Sequence, residues 1–163
     1  EQTEPEPLAL QSYLSELMQS LLLSFNPATP VQLQLDGPDL TIVSYPPLLN
    51  KVLTALTENA LHHGLSHLPQ PKISLSWQLR EASNAADQKV VLQFIDNGFG
   101  IPAELATKVF DPFFSTKLGQ GSLGIGLNIC RSIVELHHGK LWFENGVPHG
   151  ATFLFSLPLI EHD

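Results

Sequence analysis

Two runs, residues 72–79 and 89–95, each alternate apolar and polar side chains, and a polar connection at 80–88 separates them. Alternation at a period of two belongs to an extended chain with one buried face, so the pair predicts a β-hairpin. Shorter alternating runs at 31–35, 40–43, 140–144 and 151–157 predict further strands, with Asp36-Gly37-Pro38 turning the first of these into the second. Helical spacing takes over elsewhere. Leu10, Tyr13 or Leu14, Leu17 and Leu21 predict a helix over 8–25, ended by Asn26-Pro27 and Thr29-Pro30. A second helix is predicted over 46–63, with Pro46 and Pro47 in its first turn and Gly64 as its cap. Its buried stripe is Leu49, Val52, Leu53, Leu56, Ala60 and His63. A short helix is expected at 103–109. The last helix, over 124–138, turns Leu127, Cys130, Ile133, Val134 and His137 inward, and Gly139 stops it. This order predicts an α/β (α+β) two-layer sandwich, with helices on one face of a mixed, mostly antiparallel sheet. The acidic, Pro-rich residues 1–7 read as a linker and 8–163 as one domain.

The composition suits a packed core. Of 163 residues 43% are hydrophobic and only 15% charged. A formal net charge of −8, with no cluster of Lys or Arg, argues against a nucleic-acid partner. No apolar run approaches the roughly 18–20 residues of a membrane span, and no signal-peptide pattern opens the chain. No direct membrane contact is therefore expected of this chain, even where a parent protein is anchored. The single cysteine, Cys130, excludes an internal disulfide and suits a reducing compartment.

Four segments carry chemistry. Asp96-Asn97-Gly98-Phe99-Gly100 follows a predicted strand. A carboxylate there can accept a hydrogen bond from an exocyclic amine such as that of adenine, and the glycines let backbone approach a flat ring. Gly119-Gln120-Gly121-Ser122-Leu123-Gly124-Ile125-Gly126 runs into a helix, so its backbone N–H groups form an anion site suited to a triphosphate. It is not a P-loop, because no Gly-Lys-Ser/Thr follows. Asn59 lies near the buried stripe of the second helix, where its amide needs a partner, and its oxygen suits Mg²⁺. Phe110-Asp111-Pro112-Phe113-Phe114-Ser115-Thr116-Lys117 sets three aromatics in a loop that reads as docking and undocking, with Lys117 able to reach a terminal phosphate.

In this order and spacing the segments resemble the N, G1, F and G2 boxes of the sensor histidine kinases. These belong to a superfamily shared with type II topoisomerase ATPase domains, MutL and the large heat-shock chaperone. The likeness runs from about Leu8 to Leu159 and includes the stretch from Arg131 to Trp142 and Gly150-Ala151-Thr152-Phe153. It implies a Bergerat ATP-binding fold with ATP and Mg²⁺ as cofactors. It implies that Asn59 binds Mg²⁺, that Asp96 binds the adenine amine, and that Gly98, Gly100 and Ile101 lie beside the ring. Phe110, Phe113 and Phe114 would belong to the ATP lid, with Thr116 and Lys117 toward the phosphates and Lys117 and Asn59 serving catalysis. Gly121, Ser122, Leu123, Gly124, Gly126 and Leu127 would line the phosphate side, as would His62 and His63, and Thr152 would help to hold adenine. The implied activity is transfer of the ATP γ-phosphate to a histidine on a separate dimerisation domain. A response regulator would be the downstream partner, in the cytoplasm where ATP is.

The sequence departs from the family at three points. His62 stands where a phosphate-contacting Lys is common, and Ser122 where a Gly is common. Ala55 replaces the water-activating Glu of the topoisomerase-like ATPases, and Glu58 is rotated about 100° from its neighbour on the helix. None of the seven histidines sits in the family's phosphoacceptor motif. A nucleotide-binding regulatory module without kinase activity is the alternative that His62 and Ser122 leave open.

Overall fold

The computed structural model describes residues 4–65, 68–80, 88–98, 110, 127–145 and 151–159. Strand β1 (Glu6–Ala9) leads into helix α1 (Leu10–Phe25). Strands β2 (Gln32–Asp36) and β3 (Thr41–Ser44) follow, then helix α2 (Pro46–Asn59), which continues as a π-helical turn (Ala60–Gly64). After strands β4 (Lys72–Arg80) and β5 (Lys89–Asp96) come helix α3 (Leu127–Leu136) and strands β6 (Lys140–Asn145) and β7 (Ala151–Pro158).

Five strands form the main sheet in the order β2-β4-β5-β7-β6. Only β2 and β4 run parallel; the other neighbours are antiparallel. The expected hairpin is there, with Ile73 opposite Asp96 at one end and Arg80 opposite Lys89 at the other. Core residues alternate along the strands: Ile73, Leu75 and Trp77 on β4, Val90, Leu92 and Phe94 on β5, Phe153, Phe155 and Leu157 on β7. They share one cluster with Leu10, Leu14 and Met18 of α1, Leu49, Val52, Leu53 and Leu56 of α2, and Cys130 and Val134 of α3. Each buried leucine or phenylalanine in such a cluster contributes roughly 1.5–3 kcal/mol. The helices therefore cover one face of the sheet, as the periodicities predict.

Three expectations change. Strand β2 does not turn into β3 within one sheet: β3 pairs with β1, in register Leu8 to Ile42, as a separate two-stranded ribbon. Glu6 and Pro7, read as linker, therefore belong to the fold, and α1 begins at Leu10 rather than at residue 8. Gly37, between β2 and β3, lies directly under the Trp77 indole, whose N–H donates to the Pro38 carbonyl at 2.7 Å. That docking replaces a tight hairpin.

The second helix loses α geometry after Asn59. Leu65 N–H bonds to Ala60 O at 2.8 Å, a five-residue reach, so Gly64 sits inside the widened turn and Leu65 caps it. At the end of α3 the left-handed residue is His138, at φ 65°, not Gly139. Gly139 N–H bonds back to Val134 O at 3.0 Å, as in a Schellman closure. A side chain at Gly139 would meet the Ser156 carbonyl, so close approach to β7 is what demands glycine there. The expected helix at 103–109 lies outside the described residues.

Candidate functional site

Asp96 ends β5 and continues the series Val90, Leu92, Phe94, so by alternation it faces the helix layer. It is 3% exposed, a depth at which a carboxylate requires hydrogen-bond donors. Its Oδ1 accepts the Gly98 N–H at 2.8 Å, in an Asx-type turn that orients the group at the strand end.

Asn97 positions this turn. Its Oδ1 accepts Lys72 N–H at 2.8 Å, its Nδ2 donates to Gln70 O at 2.9 Å, and its own N–H donates to Lys72 O at 3.2 Å. The chain that leaves the π-helical turn at Gly64 enters β4 at Lys72. Asn97 thus ties the connection after α2 to the Asp96 turn. The residue pattern alone gives Asn97 no role of its own. A polar side chain at the end of a buried strand was the available signal.

Asn59 is the last residue of α2. It is half-buried between the buried residues Glu58 and Ala60. An amide oxygen is of the kind that a hard cation such as Mg²⁺ takes, with few protein ligands. Ala55 is buried in the core, and Glu58 is 7% exposed.

Thr152 and His62, expected toward adenine and toward the phosphates, are both among the described residues. Thr152 lies opposite Ile95, while Phe153 lies opposite Phe94 in the core. Side chains alternate across a sheet, so Thr152 projects from the face opposite to Asp96. His62 is exposed and lines a groove of about 350 Å³ with Phe25, Pro27, Val31, Leu61 and Leu65. None of Asn59, Asp96 and Thr152 lines that groove. In a regular helix a residue three positions after Asn59 would share its face; the π turn changes that rotation.

Leu127, expected on the phosphate side, is 9% exposed within the core cluster. Phe110, expected in a loop that undocks, is seated against the core. Its ring meets Phe153 edge-on at 6.3 Å, and the Arg131 guanidinium lies 4.6 Å from its centroid. The side chain of His63 lies outside the described residues, as do Gly100, Ile101, Phe113, Phe114, Thr116, Lys117, Gly121, Ser122, Leu123, Gly124 and Gly126. Among the described residues no group of three His, Cys, Asp or Glu could hold a metal ion, and no helix is long and apolar enough to cross a membrane.

A sheet covered by helices on one face, with a buried, turn-braced carboxylate at the end of β5, is a frame shared with a known class of ATPase domain. Residues 44–161 match the family described as histidine kinase-, DNA gyrase B- and HSP90-like ATPase. The chain belongs to that family. It is 30% identical over 155 residues, 92% of its length, to the adaptive-response sensory kinase SasA of Microcystis aeruginosa, covering 38% of that protein. It is 38% identical over 112 residues, 69% of its length, to the C4-dicarboxylate transport sensor protein DctS of Rhodobacter capsulatus, covering 16% of it. The chain thus spans well under half the length of these curated relatives. Among solved structures it is similar to the catalytic domain of histidine kinase ThkA, with a TM-score of 0.73 and 29% identity over 96% of this chain and 97% of that one. ThkA in complex with the response regulator TrrA is similar at a TM-score of 0.67 and 27% identity, over 96% of this chain and 42% of that one.

Proposed function

We propose that this chain is the ATP-binding catalytic domain of a sensor histidine kinase and transfers the γ-phosphate of ATP to a histidine on a separate dimerisation domain. The observation that carries the reading is the buried, turn-braced Asp96 at the helix-facing end of β5, in a chain of this ATPase family.

Asp96 accepts the adenine amine. A carboxylate offers only acceptors, so it selects an amino-bearing ring over an oxo-bearing one. The Asn97 bonds hold that carboxylate in place before nucleotide arrives, which lowers the ordering cost of binding. Asn59 supplies an oxygen ligand to Mg²⁺. When bound, the ion neutralises phosphate charge, which favours phosphoryl transfer. The chain contributes position and charge and no nucleophile. Ala55, in place of a water-activating carboxylate, supports transfer to a protein acceptor over hydrolysis. A response regulator then takes the phosphoryl group from the histidine, a role supported by the ThkA–TrrA pairing.

The test mixes this chain with a dimerisation domain of the same kinase, γ-labelled ATP and Mg²⁺. Acid-labile, base-stable label on the acceptor histidine is expected. Nucleotide binding with no label on any histidine, across the acceptor domains of the parent kinase, would overturn the transferase reading.

A further inference from the structure

We propose that the groove beside the π-helical turn binds a small organic cation with an apolar body, and that its occupancy tightens nucleotide binding through Asn97. The second half rests on the nucleotide-binding reading above. At about 350 Å³ the groove falls within the range of small-ligand sites, and its walls are mostly apolar, Phe25, Val31, Leu61, Leu65 and Pro71 among them. Its polar side chains are the Thr29 hydroxyl and the His62 imidazole, and among the described residues that line it none is Lys, Arg, Asp or Glu.

Two helices end at this groove. Phe25 is the last residue of α1, while Leu61 and His62 lie in the π turn that ends the second helix and Leu65 caps it. The last carbonyls of a helix lack partners within it and carry about half a negative charge together. No Lys or Arg stands in the last turn of α1 or of α2, or in the π turn. The whole chain carries a formal charge of −8. Local dipoles and overall field thus have one sign, and both favour a cation. An aromatic wall, Phe25, suits an ammonium as well as an apolar body. A π turn also re-aims the side chains within it, which is why such turns recur at functional sites.

Each wall of the groove leads to one of the groups read as holding Mg²⁺-ATP. Leu61 and His62 follow Asn59 by two and three residues in one continuous helix. Pro71 accepts the Gln32 N–H at 2.9 Å, and both its neighbours are bonded to the Asn97 side chain, Gln70 through its carbonyl at 2.9 Å and Lys72 through its N–H at 2.8 Å. Asn97 adjoins Asp96. A ligand that packs on Pro71 and the π turn therefore steadies the segment that braces the Asp96 carboxylate, and less ordering remains to be done when adenine arrives.

The test is an amide chemical-shift titration of the full chain with phenethylammonium, phenethyl alcohol and hydrocinnamate, which share a phenyl body and differ in charge. Phenethylammonium is expected to bind with a Kd of about a millimolar, about ten-fold tighter than the alcohol, with shifts centred on Phe25, Val31, Leu61 and Leu65. Hydrocinnamate is expected not to bind. Thr29 is exposed, so charge can be placed there without disturbing the core: Thr29→Lys should abolish amine binding and Thr29→Glu should strengthen it. With the groove saturated by the amine, calorimetry should read Mg²⁺-ATP binding about five-fold tighter in the wild type and unchanged in Asn97→Ala. Equal binding of all three probes, or shifts centred elsewhere, overturns the cation site. Amine binding that leaves ATP affinity unchanged overturns the coupling. Amine binding by a chain that takes up no ATP upholds the groove and overturns the nucleotide reading together with the coupling.

Discussion

Asp96 and Gly98 brace each other: the Asp96 carboxylate takes the Gly98 N–H at 2.8 Å, so the side chain proposed to read adenine is also the one that shapes the turn. Two substitutions separate these roles. Asp96→Asn keeps an oxygen for Gly98 but loses the charge. A hydrogen bond to a charged group is worth about 1.5–3 kcal/mol, so the loss of ATP affinity should be at least about ten-fold with the melting temperature nearly unchanged. Asp96→Ala should lose affinity and also lower the melting temperature. Wild-type affinity in Asp96→Asn, measured by calorimetry, would remove Asp96 from the site.

Asn97 should matter to stability before it matters to binding. Asn97→Ala deletes the bonds to Lys72 N and Gln70 O. At about 1 kcal/mol per bond, with exposure lowering the total, unfolding free energy should fall by about 1–2 kcal/mol. Urea denaturation reads this as a lower midpoint with unchanged slope, and ATP affinity should fall alongside as the Asp96 turn loosens. An unchanged midpoint would show that Asn97 does not tie the two elements.

His138 carries a left-handed backbone at φ 65° that glycine adopts more readily. His138→Gly should therefore leave stability unchanged or raise it by up to about 1 kcal/mol. Gly139→Ala, one position on, should destabilise the protein, because the added carbon meets the Ser156 carbonyl. Thermal melts should place Gly139→Ala below wild type and His138→Gly at or above it. Destabilisation by His138→Gly would argue that the imidazole anchors the helix end.

Cys130 is wholly buried, and burial pushes its thiol from 9.0 up to about 11. The native protein should therefore resist iodoacetamide at neutral pH and react only on unfolding. The sign of the pH effect follows. Above about pH 9 the unfolded thiol has lost its proton while the folded one keeps it, so the unfolded state binds fewer protons and stability falls as pH rises toward 11. Cys130→Ala should flatten that part of the profile in denaturation series from pH 8 to 11. An unchanged slope would assign the alkaline loss elsewhere, with Tyr13 the next group to test, since burial and then the Glu6 charge raise its pKa.

Most of the secondary structure was legible in the sequence because periodicity is a local property. Alternation located β4, β5, β6 and β7 to within a residue or two, and helical spacing located α1 and α2. What escaped was partnership. That β3 pairs with β1 and not with β2, and that Trp77 docks over Gly37 across 40 positions of sequence, are relationships no local pattern encodes. Thr152 was legible in principle: adjacent residues of a strand face opposite sides, and Phe153 already claims the core side.

The sequence by itself determined that this chain folds as a half-covered sheet and which short segments bear carboxylate, amide and glycine, since residue type and spacing suffice for both. Tertiary structure alone decided which of those groups share a surface. It turned Asp96 toward the helices, left Thr152 on the opposite face, gave His62 to another groove and joined Phe110 to Arg131. Facing is set by strand register and by a π turn that shifts helical rotation, and both arise from packing between elements distant in the chain.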